Sequence, residues 1–177
     1  MNLPNRITLF RICLIPVFIA TYFLQLYWAS LAFFLALSAT DWLDGFIARK
    51  TNQVTTLGKY MDPVADKLLN ISALILLSSL EPVFFSICLI ITFARDFMVD
   101  GFRTVAINKN VIIPANWWGK VKTCVQILAI SLYFLGIALN NEMILSIASL
   151  ILIIAVLLTV ISGIIYITTK WKEVISE

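Results

Sequence analysis

The 177-residue sequence contains no histidine. That absence removes Ser-His-Asp hydrolysis, His-ligated zinc or haem, and imidazole general-base chemistry. Acid–base work must fall to Asp, Glu, Lys, Tyr or Cys. Charge is scarce as well: 13% of residues are charged, against 61% hydrophobic, and mean hydropathy is +0.98. A soluble domain carries about a quarter charged residues. The composition therefore excludes an ordinary soluble domain, a disordered chain and a nucleic-acid binder with a basic face. The three cysteines, Cys13, Cys88 and Cys124, stand far apart in apolar runs with no CxxC pair, so they read as small buried hydrophobes. The opening MNLPNRITLFR lacks the layout of a cleaved signal peptide, so the first apolar segment is expected to be retained.

What is present is long charge-free runs. A membrane helix needs roughly 20 apolar residues. Ile12 to Thr40 is too long for one straight span and reads as two helices joined near Tyr27–Ser30. Leu68–Leu80 and Pro82–Ala94 are separated by Glu81-Pro82, where proline disfavours helix in the residue before it. Thr123–Asn141 and Met143–Thr169 complete six spans. In that arrangement all thirteen Lys and Arg lie toward one face, and the opposite turns carry only Glu81 and Glu142. The positive-inside rule makes the basic face cytoplasmic, with both termini inside. No repeat or linker divides the chain, so residues 1–177 read as one all-α membrane domain, with a short interfacial segment at the N-terminus. Trp28, Trp117, Trp118 and Trp171 fall where an aromatic belt is expected.

Four acids have a particular spacing. Asp41 and Asp44 close the second run, and Asp62 and Asp66 open the third. Pairs at i,i+3 and i,i+4 share a helix face. Asp62 is expected to be the N-cap of its helix, with Pro63 at the first helical position. Two carboxylates about 5 Å apart repel by about 3 kcal/mol at an effective dielectric near 20, so the cluster needs counter-charge. That is supplied either by interfacial salt bridges to Arg49, Lys59 and Lys67 or by hard divalent cations, which carboxylate oxygens suit. Arg95, Arg103, Lys120 and Lys122 flank one short connection on the same side, a set of cations suited either to a phosphate dianion or to positive-inside anchoring on lipid headgroups.

The run Asp41-Trp-Leu-Asp44-Gly45-Phe-Ile-Ala48-Arg49, then Gly58-Lys-Tyr-Met-Asp62-Pro-Val-Ala-Asp66, resembles the signature DxxDGxxAR…GxxxDxxxD of the CDP-alcohol phosphotransferase family. That family's core is also six transmembrane helices, so the resemblance covers nearly the whole chain. It implies that Asp41, Asp44, Asp62 and Asp66 bind two divalent ions, Mg²⁺ or Mn²⁺, and that Asp66 is also the general base. It implies that Asp44, Gly45, Ala48, Arg49 and Gly58, with Asn5 and Thr8, lie around the CDP moiety. Phe93-Ala-Arg95-Asp96, Arg103 and Gly119-Lys120-Val-Lys122-Thr123 are similar to the branch that uses glycerol 3-phosphate as acceptor, with Asp96 where that branch has Glu. The resemblance then implies transfer of a phosphatidyl group from CDP-diacylglycerol to sn-glycerol 3-phosphate, with Arg95, Arg103, Lys120 and Lys122 on the acceptor phosphate. It further implies a homodimer among membrane lipids, in a bacterial inner membrane, with the site facing the cytoplasm. A sister enzyme using inositol phosphate, serine or phosphatidylglycerol, or a cation transporter with paired acids, are the alternatives the residues leave open.

Overall fold

A computed structural model describes the backbone of residues 3–50, 56–109 and 117–175, and the side chains of residues 8–40, 64–106, 109, 117–169 and 171. Every element among the described residues is helical: α1 Leu3–Phe23, α2 Tyr27–Lys50, α3 Thr56–Leu77, α4 Pro82–Asn108, α5 Trp117–Leu139 and α6 Glu142–Ile175. Among the described residues, three stretches are long and apolar enough to cross a membrane: Pro82–Ala106, Trp117–Leu139 and Glu142–Thr169. Shorter apolar stretches occupy Thr8–Phe23 and Tyr27–Thr40. Large apolar side chains such as Phe10, Val83, Ile90, Leu150 and Ile164 point outward. Exposed apolar surface on this scale has lipid as its solvent, and the chain is an integral membrane protein.

The helices are joined as hairpins by turns that the local chemistry defines. At the α1–α2 turn Gln25 takes a left-handed φ of 59°, and Leu26 N–H donates to Thr21 O at 2.9 Å. Asn140 repeats the device between α5 and α6, with φ 49° and Asn141 N–H on Gly136 O at 2.9 Å. Both are Schellman-type stops that satisfy carbonyls left open at a helix end. Asn141 then caps α6, its Oδ1 accepting from the N–H groups of Met143 and Ile144 at 3.0 and 3.2 Å. Pro82 occupies the first position of α4, where its missing N–H costs nothing.

These turns gather at one end of the bundle. Tyr22 and Ser79 share a hydroxyl hydrogen bond of 2.7 Å that links the α1–α2 and α3–α4 turns. Beneath them Phe18, Phe34 and Phe134 pack with ring centroids 5.6 to 6.0 Å apart, joining α1, α2 and α5. Buried hydroxyls pair locally: Thr21 with Ser30 at 3.0 Å, and Tyr133 OH donating to Ser149 Oγ at 2.6 Å. Gly136 lets α6 begin directly against α5, because a Cβ there would stand 2.7 Å from Leu145 Cδ2.

Four expectations change. The first turn lies at residues 24–26, ahead of Tyr27–Ser30, because Tyr27 through Ser30 already belong to α2. The N-terminal segment is no separate interfacial helix: from Leu3 it is continuous with α1. The fourth helix does not stop at Ala94 but runs on to Asn108, carrying Arg95 and Asp96 inside it. Of the cysteines only Cys88 is buried, while Cys13 and Cys124 are exposed.

Candidate functional site

At the end of the bundle opposite the turns, polar side chains replace apolar ones. Asp41 and Asp44 belong to the last turns of α2, and Asp62 and Asp66 to the first half of α3, which packs against α2. α3 begins at Thr56, so Asp62 is inside the helix and is not its N-cap. The i,i+4 relation of Asp62 and Asp66 survives that correction, since both remain on one helix. Gly45, Ala48 and Arg49 lie on α2, Gly58 on α3 and Asn5 on α1. The side chains of these five residues, and those of Asp41, Asp44 and Asp62, lie outside the described residues.

Asp66 is described. It lines a cleft between α3, α4 and α5, together with Lys67, Asn70, Asp96, Lys122 and Gln126. Asn70, one turn on, donates from Nδ2 to the backbone oxygen of Asp66 at 3.1 Å and to Asp66 Oδ1 at 3.2 Å. The amide fixes the orientation of the carboxylate from below. Thr8 and Arg11 of α1 are buried, and Arg11 Nε donates to Thr40 Oγ1 at 3.4 Å, immediately before Asp41. α1 thereby braces the start of the acidic segment on α2.

Asp96 is the hub of the opposite wall. Arg95 Nη1 donates to Asp96 Oδ1 at 2.8 Å, and Lys122 Nζ from α5 donates to the same oxygen. Lys122 is 5% exposed. A buried ammonium survives only with a carboxylate to meet it, and Asp96 meets it. Arg95 also reaches α6, with Nη2 donating to Ser162 Oγ at 3.1 Å. Its stem lies over Gly163, where a Cβ would come within 2.8 Å of Arg95 Cγ. Two cations on one carboxylate leave an excess of positive charge beside the cleft. On the same wall Lys67 pairs with Asp100, tying α3 to α4.

Of the four cations expected around an acceptor phosphate, Arg95 and Lys122 are therefore brought together. Arg103 turns to α6: its Nε donates to Tyr166 OH at 3.2 Å, with the guanidinium 5.7 Å from the ring centroid. Lys120 is exposed and lies 6.0 Å from the Trp117 ring centroid. Asn70, Thr92 and Gln126 also line the cleft, and the sequence reading passed over them. A spacing signal existed, because each lies four residues from a charged lining residue: Asp66, Asp96 and Lys122 respectively.

The donor set fits a hard cation. Asp66 is a carboxylate lining the cleft, and the other acids of the motif, Asp41, Asp44 and Asp62, belong to the same two helices, α2 and α3. Oxygen-only donors of this kind suit Mg²⁺ or Mn²⁺.

Comparison with known proteins finds relatives that align along most of the chain. Relatives from Bacillus subtilis (strain 168), Rickettsia bellii (strain RML369-C) and Haemophilus influenzae (strain ATCC 51907 / DSM 11121 / KW20 / Rd) are 39%, 42% and 36% identical to it. The alignments cover 97%, 92% and 93% of this chain and 96%, 91% and 91% of the relatives. Each relative is named CDP-diacylglycerol–glycerol-3-phosphate 3-phosphatidyltransferase. Residues 1–161 match the family model described as CDP-alcohol phosphatidyltransferase, and the chain belongs to that family.

Proposed function

We propose that this membrane protein transfers the phosphatidyl group of CDP-diacylglycerol to sn-glycerol 3-phosphate, releasing CMP and forming phosphatidylglycerophosphate. The observation that carries this reading is near-full-length similarity to relatives of that name, 39% identical over 97% of the chain in the Bacillus subtilis case. The cleft agrees with it. A transferase for a phosphorylated alcohol needs a proton acceptor beside a seat for a phosphate dianion, and Asp66 shares its cleft with Lys122.

Asp41, Asp44, Asp62 and Asp66 would hold Mg²⁺ or Mn²⁺. Such ions, when bound, neutralise the diphosphate and stabilise the leaving CMP. Asp44, Gly45, Ala48, Arg49 and Gly58, with Asn5 and Thr8 on α1, surround the CDP moiety in this reading. Phosphoryl transfer depends on positioning and charge more than on covalent help from the protein. Asp66 takes the proton of the attacking hydroxyl as the new P–O bond forms, and Asn70 keeps its carboxylate aimed. Arg95 and Lys122, sharing Asp96, receive the acceptor's phosphate, and Arg103 and Lys120 extend the basic surface by which it arrives. The chain works as one domain, residues 1–177. It makes six membrane crossings with both termini and the site on the cytoplasmic side of a bacterial inner membrane, and it pairs as a homodimer. The distribution of Lys and Arg supports that orientation.

The test is a panel of labelled acceptors given to purified protein with CDP-diacylglycerol and Mg²⁺. Label entering lipid from glycerol 3-phosphate is the expected result. Label entering only from serine, inositol phosphate or phosphatidylglycerol contradicts the choice of acceptor. Ion flux in vesicles without CMP release contradicts the reaction class.

A further inference from the structure

The cleft has two layers. Three helices each contribute a charged residue and a neutral polar one four positions away: Asp66 and Asn70 on α3, Asp96 and Thr92 on α4, Lys122 and Gln126 on α5. α3 and α5 run toward the turn end and α4 runs away from it. In all three pairs the neutral residue is therefore the one nearer the apolar core, so the charges ring the mouth and the uncharged polar groups form the floor. Below them lie Ile71, Leu74 and Leu89.

The floor is not satisfied by the protein. Gln126 is 5% exposed and its Nε2 has no hydrogen-bond partner. Asn70 spends its Nδ2 on Asp66, and its buried Oδ1 has no partner. The floor thus offers one unmet donor and one unmet acceptor in an apolar setting, where each carries a desolvation cost. An aliphatic group relieves neither, and an ammonium can only donate. A hydroxyl both accepts and donates.

We infer that Asn70 and Gln126 read the acceptor's non-reacting hydroxyl, with Gln126 donating to its oxygen and Asn70 Oδ1 accepting its hydrogen. The inference rests on the proposed function and makes these two neutral residues determinants of acceptor specificity.

The experiment compares sn-glycerol 3-phosphate with 3-hydroxypropyl phosphate, which keeps the phosphate and the attacking hydroxyl but lacks the middle one. Purified full-length protein with CDP-diacylglycerol vesicles and Mg²⁺ is expected to favour glycerol 3-phosphate in kcat/KM by roughly 10- to 100-fold. Gln126→Met keeps side-chain length without the amide and is expected to reduce that preference to within about threefold, through the KM of glycerol 3-phosphate. The ratio is taken on one preparation, so it does not depend on how much of the variant is folded. Equal use of both acceptors by the unaltered protein overturns the inference even if the variant is inactive. A preference that persists in Gln126→Met overturns it too, and both results leave the phosphatidyl transfer reading standing. Failure of both acceptors to release CMP, with another alcohol succeeding, overturns that reading and the inference together.

Discussion

The two ends of the bundle solve opposite problems. At the turn end, Thr21 pairs with Ser30, Tyr22 with Ser79, Tyr133 with Ser149, and Asn141 caps its own helix. Polar groups there close on one another over a Phe18–Phe34–Phe134 core, and nothing further is required of a ligand. At the other end Asn70 Oδ1, Arg95 Nε and Gln126 Nε2 are buried without partners, and Lys122 is buried on a carboxylate that it shares with Arg95. Buried polar groups in stable proteins are nearly always paired, and exceptions gather where function outweighs local stability. The first end holds the helices together, and the second is where the proposed reaction would seat its substrates. Substitutions should therefore separate stability from chemistry according to which end they touch.

The largest effect is expected at Asp66. Asp66→Asn should lower CMP release by about 10⁴-fold, the upper end for loss of a positioned proton acceptor, with thermal unfolding in detergent little changed. A large loss of melting temperature would erase the distinction between the ends. Phe134→Ala is the mirror case. Removing a buried ring where α1, α2 and α5 meet should cost about 3–5 kcal/mol of stability, while the KM of both substrates stays as in the unaltered protein at permissive temperature.

Arg95→Ala comes next. Loss of a charged partner for phosphate should raise the acceptor KM by about 100-fold, equivalent to about 2.7 kcal/mol, with the CDP-diacylglycerol KM shifting far less. Equal shifts in both constants would contradict a phosphate seat at Arg95. The finest contrast is between two glycines. Gly136→Ala places a Cβ against Leu145 and should destabilise by about 1–3 kcal/mol. Gly163→Ala presses on the Arg95 stem and should instead raise the acceptor KM by about fivefold, roughly 1 kcal/mol. Steady-state kinetics and unfolding of the two variants side by side would check this.

The hairpin turns at Glu81-Pro82 and Asn140-Asn141 were legible because proline and asparagine act through local backbone chemistry. The turn at Leu24–Leu26 was not, since it uses Gln25 in a left-handed conformation between two leucines and carries no Gly or Pro. Charge served as a ruler for helix ends and misled at Ala94. Arg95 and Lys122 both pair with Asp96 within the bundle, so α4 had no reason to stop there. Pro63 suggested a helix start that α3 had already made at Thr56. The acidic motif was legible as a pattern of residue types. Asn70, Thr92 and Gln126 were not, because an uncharged polar residue in an apolar run signals nothing until its neighbour four positions away is known to face a cleft.

The account stands on carboxylates from α2 and α3 jointly holding divalent ions where the phosphatidyl group is transferred. The most direct measurement counts Mn²⁺ bound to the purified protein by electron paramagnetic resonance and follows CMP release in the same samples. The account predicts about two ions per chain, a lower count in Asp41→Asn and Asp62→Asn, and CMP release falling in step. Full CMP release in chelator, or an unchanged Mn²⁺ count in both variants, would contradict it.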